Sequence, residues 1–323
     1  MRILVHGAGA VGGYFGALLA RGGHEVWLVA RGANLAALNA DGPTVRLDGE
    51  TLRVRPAGAV ADPAEAPCAD LVLVCVKSHD TPAAGRALRP VVGPDTIVLS
   101  LQNGVENEEL LADALGVGPL MVALTRIGVE LVAPATIAYS GRGTIVFGEP
   151  DGRETARARH AAAAFAAAGV PHELRRDVLV AAWEKLAWNA GFNAVTALTR
   201  TTVAEVLGQP GTRDLVVAAM EEVDAVATAR GIPVRRRRTA AVVEDSVRGL
   251  PDFLTSMLQD VLRGRRLEHD AINGAVVRAG ARAGVPVPVN RALLALLGGL
   301  DRATAATRTP APPDASAPPG ARR

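Results

Sequence analysis

Lys185, Asn189 and Asn193 stand four residues apart in a segment, Trp183 to Thr196, that is otherwise dominated by Ala, Leu, Trp, Phe and Val. On a helix of 3.6 residues per turn they form a polar stripe, and Thr196 returns nearly to the angle of Lys185. Polar groups on so apolar a helix need partners: a bound polar ligand is one, water on a wet face the other. A lysine partly withdrawn from water can pass a proton near neutral pH, and its charged form stabilises a developing oxyanion. A second polar cluster holds Thr255, Ser256, Gln259 and Asp260, then Glu268, His269 and Asn273. On one straight helix Ser256 and Glu268 would sit about 120° apart and ~18 Å along the axis. They reach a common ligand only if the helix breaks between them, and Gly264 is the place for that break.

Near the N-terminus, Gly7-Ala8-Gly9-Ala10-Val11-Gly12 follows one β-branched run and precedes a helical one. A G-x-G-x-x-G loop in that strand–loop–helix setting cradles a dinucleotide. Gly7 permits the tight turn, Gly9 lets the pyrophosphate approach the backbone, and Gly12 lets helix and strand pack closely. The free N–H groups and the helix dipole favour the phosphates. The next strand, Glu25 to Val29, is followed by Arg31, where a binder of NAD usually carries an acid. A guanidinium there suits a 2′-phosphate, so the expected cofactor is NADPH. Ligands of such sheets lie beyond the strands' carboxyl ends, which adds Lys77, just past Leu71 to Val76, and Asn103, just past Thr96 to Leu99. A surface charge and a plain turn are their alternative readings.

These residues need two kinds of scaffold. The first 150 residues alternate short β-branched runs with helical stretches: Arg2 to His6, Gly12 to Arg21, Glu25 to Val29, Leu71 to Val76, Thr96 to Leu99, and a helix from near Val105. That alternation signals a parallel sheet with crossover helices. Thr44 to Leu47 and Thr51 to Val54 flank a hairpin turn at Asp48-Gly49, and Met121 to Glu130 with Thr136 to Phe147 read as antiparallel additions at the sheet edge. From Glu154 to Ala303 helical periodicity takes over. The fold class is therefore α/β: a Rossmann-type NADPH-binding domain at 1–150, an all-helical substrate and catalytic domain at 151–303, and a disordered Ala/Pro-rich tail at 304–323.

Bulk properties exclude several functions. The 35 Lys and Arg nearly balance the 33 Asp and Glu in 323 residues, so no global charge draws the chain to nucleic acid or membrane. The run Arg235 to Arg238 reads as a solvated face. Two cysteines make no disulfide framework, with Cys75 expected as a buried inert thiol, and no stretch nears the ~18 apolar residues of a membrane span. The location expected is the cytoplasm. No His/Cys cluster has metal-ligand spacing, so no metal is expected.

The glycine loop with Arg31, the Gln102-Asn103-Gly104 turn, the Lys185/Asn189/Asn193 helix and the Ser256-Met257…Asp260…Glu268…Asn273-Gly274 block together resemble the ketopantoate reductase (2-dehydropantoate 2-reductase) family, from Met1 to about Leu300. The resemblance implies NADPH-dependent reduction of 2-dehydropantoate to pantoate, on the way to pantothenate and coenzyme A. It implies Lys185 as general acid, Glu268 at the substrate hydroxyl and beside the cofactor, Ser256 at the carboxylate, Asn189 and Asn193 at the substrate's polar groups, and Asn103 between cofactor and substrate. The cofactor set is then Gly7, Ala8, Gly9, Ala10, Val11, Gly12, Arg31, Lys77, Asn103 and Glu268. A small 2-keto acid is the partner, with a homodimer as a possible assembly. A paralogous reductase of another 2-keto acid, a 3-hydroxyacid or opine-type dehydrogenase, and a non-catalytic NADPH-binding regulator are the alternatives.

Overall fold

The computed structural model describes every residue except 48, 235–237, 250–252 and 307–323. β1 (Arg2–His6), β2 (Glu25–Val29), β3 (Thr44–Leu47), β4 (Glu50–Arg53), β5 (Gly58–Val60), β6 (Ala69–Val74), β7 (Val92–Ser100), β8 (Leu120–Ala133), β9 (Thr136–Gly148) and β10 (His172–Leu174) form one sheet. Its order is β4-β3-β9-β8-β7-β6-β1-β2-β5, with β10 beside β9. β1 and β6 lie at its centre and bury both faces, which is why their sequences are unbroken apolar runs rather than alternating ones. One face packs under α1 (Ala10–Arg21), around Phe15, Leu19, Phe147 and Phe165. The other packs under α3 (Thr81–Leu88) and α4 (Asn107–Leu115), around Val72, Leu88 and Leu111. α2 (Gly32–Asp41) follows β2.

Three features depart from the expected layout. β8 runs parallel to β7, so antiparallel pairing begins only between β8 and β9. The β3–β4 hairpin lies outside β9, Thr44 opposite Thr136, so β8 and β9 are not the edge of the sheet. And the sheet does not finish at residue 150. α5 (Ala156–Ala167), capped by the Thr155 hydroxyl, lays Ala158, Ala161 and Phe165 into the same core as β9, and β10 adds a strand along Ile145–Phe147. Helical periodicity alone could not show which half of the molecule α5 covers.

Beyond β10 the chain is helical: α6 (Val178–Trp188), α7 (Ala194–Thr199), α8 (Val203–Gly208), α9 (Pro210–Ala229), α10 (Arg238–Gly249), α11 (Ser256–Leu262), α12 (Ala275–Ala283) and α13 (Pro288–Ala306). They share a second core around Leu186, Phe192, Val216, Met220, Val223, Val276 and Leu297. Two wide π turns interrupt them, Asn189–Asn193 after α6 and Asp270–Gly274 before α12. Buried asparagines tie these turns together: Asn273 Nδ2 donates to Ala190 O and to Asn290 Oδ1, each at 3.0 Å. α13 carries on to Ala306, three residues into the stretch expected as tail; the remainder of that stretch, and Arg235 to Arg237 of the arginine run, lie outside the described residues. No helix among the described residues is long and apolar enough to cross a membrane.

Candidate active site

The carboxyl ends of the central strands face the helical half. The glycine loop leaves β1 with Gly7 at φ +100°, a conformation that side chains resist, and an added Cβ there would meet Val76 N at 2.7 Å. A Cβ on Gly12 would lie 2.3 Å from Gly7 O and 2.8 Å from Val5 Cγ1. A Cβ on Gly9 would meet nothing within 4 Å. The loop is thus closed against the protein at Gly7 and Gly12 and open outward at Gly9, the shape a pyrophosphate needs. Arg31 stands exposed at the N-cap of α2. Its charge is felt by His6, the last residue of β1, whose buried ring is pushed down to about 4, first by desolvation and then by that guanidinium. Asn34, one turn along α2, donates to Ala8 O at 2.7 Å and accepts from Ala135 N at 2.7 Å, fixing α2 against the loop. These residues fit a dinucleotide whose adenosine end carries negative charge.

Past β6 the backbone turns at Lys77-Ser78 to meet the helical half. Lys77 Nζ lies 2.6 Å from Asp260 Oδ2 and 3.0 Å from Glu268 Oε2. Ser78 donates to Glu268 Oε1 twice, from its backbone N–H at 2.9 Å and its hydroxyl at 2.8 Å. Burial works against the Glu268 charge, yet Lys77 and the two Ser78 donors outweigh it and hold the carboxyl below its ordinary range. In Asp260 burial wins, and its carboxyl is raised. Lys77 is therefore engaged with the two carboxylates in this arrangement.

A buried network holds that turn in place. Gln102 Nε2 donates to Val76 O at 2.9 Å and to Thr81 Oγ1 at 2.8 Å, while Ser100 Oγ donates to Gln102 Oε1 at 2.9 Å. The Thr81 hydroxyl faces Ser78 O at 2.8 Å and Asn107 Oδ1 at 3.1 Å, and Asn107 Nδ2 donates to Asn103 O at 2.9 Å. The Lys77-Ser78 turn and the Asn103 turn are thereby one rigid unit.

Asn103 in turn meets Asn189, whose Nδ2 lies 3.5 Å from Asn103 Oδ1, the outer limit of a hydrogen bond. Between them the two halves touch backbone to backbone: a Cβ on Gly104, at φ +105°, would lie 2.6 Å from Ala271 O. Two residues on, Glu106 accepts from Arg278 at 2.7 Å and from Arg282 at 2.9 Å.

Lys185 lies on the face of α6 that carries Val178, Ala181 and Ala182 onto Val122, Leu124 and Val146 of the sheet. It is half-buried, and no hydrogen bond or ion pair holds it among the described residues. Burial lowers its ammonium to about 8, with Glu268 opposing the shift and Arg126 adding to it.

The structure brings Lys77, Glu268, Asn103, Asn189 and Lys185 to one seam, and Ser256 stands exposed on the first turn of α11, one turn before the Asp260 that binds Lys77. The chain does break after α11, with Gly264 at φ +62°, so Ser256 and Glu268 lie on separate segments. Asn193 closes the π turn that follows Asn189 and is buried, with neither amide atom paired among the described residues. Thr196 is structural: its hydroxyl bonds Phe192 O at 2.7 Å and the Thr255 hydroxyl at 2.7 Å. Sequence reasoning missed Ser78, Arg126 and the Gln102–Thr81–Asn107 network. The strand-end rule that found Lys77 extends to Ser78; nothing local marks Arg126.

Two family models match the chain: ketopantoate reductase PanE/ApbA over residues 3–152, and its C-terminal counterpart over residues 177–301. The structure of a PanE/ApbA family ketopantoate reductase from Ralstonia eutropha superposes with a TM-score of 0.87 at 37% identity, covering 94% of this chain and 99% of that one. The 2-dehydropantoate 2-reductase of Mesorhizobium japonicum is 34% identical over 92% of this chain and 97% of its own length. That of Archaeoglobus fulgidus is 33% identical over 93% and 98%.

Proposed function

The chain belongs to the ketopantoate reductase family, and we propose that it reduces 2-dehydropantoate to pantoate with NADPH, Lys185 giving the proton. The observation that carries the mechanism is the position of Lys185: a half-buried ammonium, unpaired among the described residues, at the end of an apolar helix–sheet contact and lowered to about 8. When bound, the reduced nicotinamide supplies a hydride to the substrate's carbonyl carbon. Lys185 holds its proton toward the carbonyl oxygen and delivers it as negative charge gathers there. Because the amine is already partly desolvated, it gives that proton more readily than a lysine in water.

Glu268, kept ionised by Lys77 and Ser78, accepts a hydrogen bond from the substrate hydroxyl and opposes the lowering of Lys185. Asn189 orients the substrate's polar atoms together with Asn103, and the Ser256 hydroxyl donates to the carboxylate. Asn193, whose buried amide has no partner among the described residues, joins Asn189 at the substrate's polar groups. Gly7 to Gly12 hold the pyrophosphate by their N–H groups, and Arg31 pairs with the 2′-phosphate, which sets NADPH above NADH. We assign cofactor binding to the sheet half, through β10, and substrate binding to the helical half that follows.

The test is loss of NADPH absorbance with the purified protein and 2-dehydropantoate, beside pyruvate, 2-ketoisovalerate and oxaloacetate. Turnover strongest with 2-dehydropantoate is the expected result. Turnover confined to another of these acids transfers the mechanism to that substrate, and tight NADPH binding without turnover of any rejects it.

A further inference from the structure

The Val122–Leu124 side of β8 packs on α6, and the next residue on that side, Arg126, lies just past the apolar contact. Lys185 extends the same contact from α6, one turn beyond Ala181 and Ala182. The helix–sheet seam thus ends in two cations, one from each element. Arg126 is exposed, and no hydrogen bond or ion pair holds it among the described residues. The carboxylate four residues along β8, Glu130, is taken by Arg263 from the turn after α11. The Lys185 ammonium feels Glu268 from one side and, more weakly, the Arg126 guanidinium from the other, and Arg126 itself has no anion bound to it among the described residues.

We propose that Arg126 is a specificity-determining residue that binds the substrate's carboxylate. In a 2-oxo acid the carboxylate and the ketone sit on adjacent carbons, so the groups that read them must be neighbours. Lys185 and Arg126 extend the same helix–sheet contact from its two sides, and the planar guanidinium matches a carboxylate through two parallel hydrogen bonds. Ser256 supplies a hydroxyl but no charge. The Arg126 charge is already felt at the Lys185 ammonium in the ligand-free protein. A carboxylate on Arg126 cancels that repulsion, so Lys185 holds its proton more firmly once an acid substrate is in place.

This inference rests on the 2-oxo acid reductase reading above, and its test separates the two. Arg126→Gln and Arg126→Lys are compared with wild type for reduction of 2-dehydropantoate and of its carboxamide. Binding of pantoate to the enzyme–NADP⁺ complex is followed by calorimetry in parallel. Because Arg126 is exposed, both variants should fold. Arg126→Gln should raise KM for the acid and Kd for pantoate roughly 10- to 150-fold, the span for losing charge-assisted hydrogen bonds. It should leave the carboxamide and NADP⁺ unaffected, and Arg126→Lys should fall between. Unchanged discrimination between acid and carboxamide in Arg126→Gln, in an enzyme that reduces the acid, overturns the assignment of Arg126 alone. Wild-type protein that neither reduces 2-dehydropantoate nor binds pantoate overturns the reductase reading and this inference together.

Discussion

Lys77 Nζ stands 3.0 Å from Glu268 Oε2 and shares its charge with Asp260 Oδ2 at 2.6 Å, so one cation from the sheet half serves two carboxylates of the helical half. Burial alone would raise Glu268; Lys77 and Ser78 reverse that. A lowered carboxyl stabilises the fold above its unfolded value, about 4.3, and that contribution fades as pH falls through the folded value. In Lys77→Met burial should prevail, and Glu268 should titrate above its ordinary range. The acid limb of the kcat/KM profile for the keto acid should then move to higher pH. A variant whose acid limb coincides with that of wild type would show that Lys77 does not set the charge of Glu268.

Lys185 reads in the opposite sense. Its ammonium is lowered to about 8, so a step that needs the proton should fade as pH rises through about 8. For stability, the unfolded chain binds the extra proton above that point, so this group's contribution rises with pH from about 8 toward its ordinary ~10.4. Lys185→Ala should cut kcat by ~10²–10⁴ and abolish the alkaline limb. A folded variant within a few-fold of wild type would remove Lys185 from the chemistry.

Arg31 is exposed and caps α2 without a side-chain bond to it, so its loss should cost little stability. Arg31→Ala should raise KM for NADPH by far more than KM for NADH. Equal changes for the two would assign the 2′-phosphate to another group.

Gly9 and Gly12 should separate binding from folding. Gly9→Ala places its methyl in open space, so the melting temperature should hold while dinucleotide affinity drops. Gly12→Ala drives a methyl to 2.3 Å from Gly7 O and should destabilise the fold itself. Thermal melts with and without NADPH check both, and a Gly9→Ala protein with unchanged NADPH affinity would argue against a pyrophosphate at that position.

What was legible in the sequence was whatever depends on local chemistry. A loop that must take positive φ and admit phosphate announces itself by Gly7, Gly9 and Gly12, and a helix that must break announces itself at Gly264. Lys185 stood out because an apolar helix tolerates few cations. The π turn itself was silent, since no residue in Asn189–Asn193 advertises it. Arg126 was silent because its meaning comes from β8 meeting α6, more than fifty residues later in the chain. The Gln102–Thr81–Asn107 network was hidden for a like reason, since each member reads alone as an ordinary loop or helix-start residue.

The pairing of β3 with β9 has a bearing on how the protein is made. Thr44 finds Thr136 only after some ninety further residues have been added, and the last strand of the sheet, β10, closes later still, at Leu174. At a common pace of ~5–20 residues per second, the β3–β4 hairpin waits roughly five to twenty seconds on the ribosome with its pairing edge uncovered. During that interval the nascent chain presents a strand edge that other chains can extend. Its yield in a host cell should therefore respond to translation speed and to chaperones that shield such edges, more than to substitutions in the helical half.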